Sequence, residues 1–271
     1  MFLSPAAVAG LLAIVASDQS ALKIDNSRLT YGSPGPDRSS AQVFPGDEVY
    51  LSFELSGFQT DPNGVAKVKL TTEVFGKDGK LEYKQDSGES PALDLFKGGK
   101  LHLNARVDVG NKTAAGTYKV KVTAVDVVGK GTASTEKEVT LLEPALAVVR
   151  AGIFADQALR ASSQVFATGQ PAFVGFSVVG FTREASTNHP KLKVELVVKD
   201  DKGAVVTDKP NIAIDAAQPN KVPATTQLLS GQFQIPLNKA GTFTLEIKVT
   251  DLANNKASQP AVLKLTVVDV K

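Results

Sequence analysis

The chain has 271 residues, 42% of them hydrophobic and 21% charged, which is the balance of a globular protein and excludes a disordered one. Its net charge of +2, carried by scattered lysines, offers no electrostatic footprint for nucleic acid. Cysteine and tryptophan are both absent; the first excludes disulfides, thiolate metal sites and thiol nucleophiles, and the second, beside 13 Phe and 4 Tyr, favours packed cores over aromatic platforms.

Residues 6–16 (AAVAGLLAIVA) form an apolar run of signal-peptide length. The run is too short for a membrane-spanning helix, which needs about 20 residues. Val15 and Ser17 supply small residues at the −3 and −1 positions of a cleavage site before Asp18, although no Lys or Arg precedes Lys23. Residues 1–17 are therefore read as a signal peptide. The mature chain is expected outside the cytoplasm (periplasmic, cell surface or secreted), with no stable membrane span. Export without cysteine points to a bacterium, because secreted eukaryotic domains usually rely on disulfides.

After that segment the chain repeats itself. Gln42-Val43-Phe44 returns as Gln164-Val165-Phe166, and Phe53 with Gly57-Phe58 returns as Phe176 with Gly180-Phe181. Ala115-Gly116-Thr117-Tyr118, with Asp126 beyond it, returns as Ala240-Gly241-Thr242-Phe243, with Asp251 beyond it. Two domains of one fold are expected, over 18–143 and 144–271. The linker Leu141-Leu142-Glu143-Pro144-Ala145 has no Gly/Ser tether, which predicts limited freedom between them.

Residues 49–55 (VYLSFEL) alternate with period two, placing Val49, Leu51, Phe53 and Leu55 on one face and Tyr50 on the other. In the second copy Ala172, Val174, Phe176 and Val178 take the inner face, while Phe173 and Val179 make the outer face apolar. That outer face is a candidate inter-domain or partner surface. Further strands are predicted over 65–75, 81–84, 100–109, 117–125 and 137–142, then over 192–199, 232–237, 242–250 and 262–268. Asp78-Gly79 is read as a tight hairpin turn with positive φ angles, and Asp201-Lys202-Gly203 as its counterpart. Seven or so short strands per copy, with no sustained helical period, predict an all-β fold of two tandem antiparallel sandwiches.

The run Ala115 to Val122 (AGTYKVKV) resembles the start of strand F in immunoglobulin-like and fibronectin type III domains. The resemblance implies that Tyr118 turns the corner before strand F and hydrogen-bonds upstream backbone. Phe243 stands at the matching place and cannot make that bond. The disulfide and core tryptophan of antibody domains are missing, so the resemblance is to the broad bacterial immunoglobulin-like class. The pairing of residues 44–47 (FPGD) with 56–58 (SGF) is also similar to uncharacterised exported proteins of planctomycete bacteria, a likeness that implies no activity.

Catalytic chemistry finds little support. His102 sits between two inward leucines and points outward, and His189 precedes Pro190 in a polar loop. Neither has partners at metal-ligand spacing, and no Gly-x-Ser-x-Gly elbow occurs. Residues 96–100 (FKGGK) lie between strands and lack the helix that a phosphate loop needs. Asp126 and Asp251 are read as turn residues accepting backbone N–H groups, with calcium at Asp251, Asn254 and Asn255 as the alternative. No cofactor is expected. The sequence thus predicts a non-enzymatic extracytoplasmic structural or protein-interaction module of a bacterial envelope, with an envelope protein or a cell-wall glycan as partner. The alternative is a polysaccharide-binding module, with Tyr50 and Tyr83 pairing across strands as its platform.

Overall fold

The computed structural model describes residues 21–94, 98–207, 211–213 (backbone alone) and 222–270. The segment read as a signal peptide, 1–17, lies outside the described residues, as do Phe96 and Lys97. Eight strands come first: β1 (Lys23–Thr30), β2 (Gln42–Val43), β3 (Glu48–Ser56), β4 (Val65–Phe75), β5 (Leu81–Leu93), β6 (Lys100–Asp108), β7 (Gly116–Asp126) and β8 (Thr132–Leu141). Nine follow: β9 (Ala147–Phe154), β10 (Val165–Ala167), β11 (Pro171–Val179), β12 (Leu192–Lys199), β13 (Asn211–Ala213), β14 (Leu229–Pro236), β15 (Gly241–Asp251), β16 (Lys256–Ala257) and β17 (Ala261–Val268).

The fold is all-β. Sheet β1-β3-β6 packs on sheet β2-β8-β7-β4-β5, and sheet β9-β11-β14 packs on β10-β17-β15-β12-β13, with β16 on the flank of β15. The strand order is the same in both sandwiches. Two pairings depart from the antiparallel expectation: β2 runs parallel to β8, and β10 parallel to β17. Period-two alternation drives the packing. Val49, Leu51, Phe53 and Leu55 all turn inward from β3, and Val120, Val122 and Ala124 meet them from β7. Burying one such Leu or Phe contributes about 1.5–3 kcal/mol. The second core is richer in rings, with Phe176 and Phe233 at a centroid distance of 5.4 Å.

The strand pairing corrects the alignment of the copies at one place. Gly116 and Gly241, equivalent by the Gly-Thr-aromatic run, lie opposite Leu141 and Val267. Val43 pairs with Leu141, and Phe166 with Val267, so Val43 rather than Phe44 is the counterpart of Phe166. The following glycines agree with this register, Gly46 at φ 89° and Gly169 at φ 87°. The recurring Gln-Val-Phe letters are therefore one residue out of structural step. Because side chains alternate, that step sends Phe44 out of its own core.

Three local expectations also change. In the β4–β5 turn only Gly79 has positive φ (77°), and Asp78 instead accepts the Lys80 N–H (3.1 Å) through its carboxylate. Strand β5 extends to Leu93, well past Lys84, as an exposed edge with no buried face to leave a pattern. β1 and β9 were not predicted at all. Each carries an extra residue at a bulge with positive φ, Asn26 (52°) and Arg150 (50°), which breaks the alternation midway.

Candidate functional site: the joint between the sandwiches

The second bulge has a structural consequence. Before it, Val149 faces outward; after it, Ala151 and Ile153 face the core of the second sandwich. Val149 and Ala147 join Val179, Phe44 and Leu228 in a small apolar cluster drawn from both sandwiches. The same bulge aims the backbone of Arg150 at Asp47 of the first sandwich.

Asp47 is the hub of this joint. Its side chain is 3% exposed, and one oxygen meets Arg38 at 2.5 Å. The other accepts the Glu48 N–H (2.9 Å) and, across the joint, the Arg150 N–H (2.9 Å). Arg150 Nε donates to the Gly46 carbonyl (2.8 Å), and Arg38 also donates to the Glu48 carbonyl (2.8 Å). A carboxylate buried this deeply needs such partners, because an unpaired charge out of water is costly. The Arg38 guanidinium stacks 4.5 Å from the Tyr31 ring centroid, and Tyr31 packs against the second core. Burial pushes the Tyr31 hydroxyl above its usual pKa, with the neighbouring Arg38 charge pulling the other way. Two side-chain bonds flank the hub: Ser162 Oγ donates to the Pro34 carbonyl (2.7 Å), and Asn111 Nδ2 to Gln227 Oε1 (3.1 Å). Gly180 closes the linker side. With φ at 68° its Cα lies so near the Ala145 carbonyl that a Cβ would fall 2.1 Å from the oxygen.

Reasoning from sequence missed Asp47, Arg38 and Arg150. A signal was present, since they are places where the copies differ: Gln170 stands at the position of Asp47, and Asn26 at the position of Arg150.

The structure places the predicted residues as follows. Phe173 and Val179 are buried, at 8% and 7% exposure, so neither is a free surface. Val179 lies in the joint cluster, and Phe173 pairs with Phe154, whose ring lies over the Gly152–Gly175 pair. Tyr50 and Tyr83 are not brought together. Tyr50 is on β3, half-buried under Arg106 at 6.0 Å from its ring, whereas Tyr83 is on β5 of the opposing sheet, bonded to Gln85. They cannot form one stacking platform. Burial raises the Tyr50 hydroxyl pKa, with Glu48 adding to the rise.

Tyr118 is the corner residue that the resemblance implied; its hydroxyl donates to the Ala114 carbonyl at 2.7 Å. Asp126 accepts the Val128 N–H (3.0 Å) two residues on, as expected, and also the Gln59 N–H (2.8 Å) from the loop after β3. Asp251 repeats both bonds with Ala253 (3.0 Å) and Thr182 (2.7 Å). Asn254 Oδ1 accepts the Lys256 N–H (3.0 Å), and Asn255 holds a positive φ of 55°. These oxygens are committed to backbone amides. Among the described residues no group of three or more His, Asp or Glu converges as a metal site. His102 is exposed on β6, 4.0 Å from Glu54, and His189 is buried in the loop before β12. The two histidines thus lie in different sandwiches.

No protein-family model and no curated protein matches the chain. Solved structures are similar only distantly. The C-terminal domain of the Streptococcus pyogenes antigen I/II-family protein AspA is 11% identical over 91% of this chain and all of that one, at a TM-score of 0.29. Dimeric latent PorU from Porphyromonas gingivalis is 15% identical over 97% of this chain, at a TM-score of 0.37, and the chain spans 22% of it. The Pseudomonas fluorescens alkylpurine DNA glycosylase AlkC, solved with DNA containing an abasic site analog, is 16% identical over 46% of this chain, at a TM-score of 0.29, and the chain spans 31% of it. At such TM-scores no activity or residue role carries over. Among the described residues no helix is long and apolar enough to cross a membrane.

Proposed function

We propose that this chain is a non-enzymatic structural or protein-interaction module of a bacterial envelope, working outside the cytoplasm as two sandwiches held in one fixed arrangement. The observation that supports the reading is the joint at Asp47. A module meant only to tether would keep its domains on a solvated, flexible linker. Here Asp47, held by its buried pair with Arg38, accepts the Arg150 N–H, Arg150 Nε donates to the Gly46 carbonyl, and an apolar cluster joins one sandwich to the next. Such a body holds loops and edges at set spacings, which suits a spacer or an adaptor better than a catalyst. An envelope protein is the favoured partner. Glycan recognition would need a joint aromatic face that Tyr50 and Tyr83, on opposing sheets, do not provide.

In-cell cross-linking followed by fractionation tests the proposal. It expects the chain in the envelope fraction with a stoichiometric protein partner. Recovery from the cytosol, or with glycan alone, contradicts it.

A further inference from the structure

The first sandwich is incompletely filled at one end. A cavity of about 700 Å³ opens between its two sheets beneath the loop that joins β6 to β7. Its deep wall is Val43, Val49 and Leu141, and Val109 and the Tyr118 ring stand nearer the mouth. The corrected register explains the space. Phe166 fills the second sandwich where the first has Val43, and Leu237 stands where the first has Val109. The second sandwich has its own cavity at this end, about 880 Å³, but its lining of Ile235, Leu237 and Phe243 does not reach back to Phe166.

We propose that the cavity of the first sandwich is a binding site for a small uncharged apolar molecule, an aromatic ring or a branched hydrocarbon. The volume lies within the range of about 300–1,000 Å³ over which proteins bind small ligands, with apolar walls and a few polar groups at the rim. Val43, Val49, Val120 and Leu141 make the buried part of the lining apolar, while Glu82, Asp108, Asn111, Lys112 and Thr113 stand exposed at the mouth. The rim gives an anion no net positive charge to meet: Glu82 stands against Lys112, and Asp108 is paired with Arg106 at 2.7 Å. Tyr118 holds one wall in place, because its hydroxyl is tied to Ala114.

The test is fluorescence titration of the full chain with Nile red, a neutral apolar dye, and with the anionic dye anilinonaphthalenesulfonate. Saturable binding of Nile red, at least ten-fold tighter than the anionic dye, is expected. Val43→Phe installs the plug of the second sandwich and is expected to weaken Nile red binding at least ten-fold while raising the midpoint of unfolding. Val109→Leu, a milder filling, should weaken binding by a smaller factor and decides the matter if Val43→Phe does not fold. Absence of saturable Nile red binding overturns the proposal, as does equal binding of the two dyes. Unchanged affinity in a folded Val43→Phe or Val109→Leu chain overturns it as well.

Discussion

At the scale of single residues, Tyr118 and Asp126 perform tasks that their surroundings in the sequence announced. A tyrosine two residues after a glycine at the head of an alternating strand has an upstream carbonyl within reach, and Ala114 supplies it. Replacing Tyr118 with Phe should destabilise the first sandwich by about 1 kcal/mol, the net worth of one hydrogen bond, read by chemical denaturation. A neutral Tyr118→Phe beside a severe Tyr118→Ala would mean that the ring alone matters. The second bond of Asp126, to Gln59, spans 67 residues and was not legible, because no local pattern records where a distant loop passes. The same limit applied to Phe173 and Val179. Their alternation was legible, but what covers the outer face depends on Phe154 and on the neighbouring sandwich.

At the scale of elements, legibility followed alternation. β3, β4, β7, β12 and β15 alternate over most of their length and were read to within a residue or two. β1 and β9 alternate on either side of a bulge but not across it, so neither half is long enough to register. At the bulge the residue must take a left-handed backbone, which costs an ordinary side chain about 1–2 kcal/mol. Asn26→Val should therefore lower the stability of the first sandwich by about 1–2 kcal/mol, and Asn26→Gly by less, in thermal or denaturant unfolding. Equal costs for the two would show that φ at Asn26 is not what the site demands. The slip at Gln-Val-Phe teaches a related lesson. Identical letters one step apart look like homology, but strand pairing and the matched glycines Gly46 and Gly169 set the true register.

At the scale of the whole molecule, the joint was legible only as a short linker without a tether and as the apolar outer face at Val179, which the joint cluster covers. Its chemistry is spread over residues 31, 38, 44–47 and 147–180, which no window of sequence brings together. The buried Tyr31 gives the joint an alkaline weakness. Because its folded pKa is raised, its contribution to stability is present below the ordinary value near 10 and is lost as pH climbs through the raised one. Stability should fall above about pH 10, and Tyr31→Phe, which keeps the ring and removes the proton, should make that fall shallower. An unchanged alkaline limb would place the loss elsewhere. Asp47→Ala strands Arg38 in a buried setting, and breaking such a pair costs about 3–5 kcal/mol.

The measurement that most directly tests the fixed joint is the distance distribution between the two sandwiches. The chain has no native cysteine, so spin labels can be placed at exposed sites alone, through Ser134→Cys and Lys264→Cys. A single narrow distribution is predicted, broadening when Asp47→Ala is added to the labelled chain. A broad distribution in the chain with Asp47 intact, or one that Asp47→Ala leaves unchanged, would contradict the account.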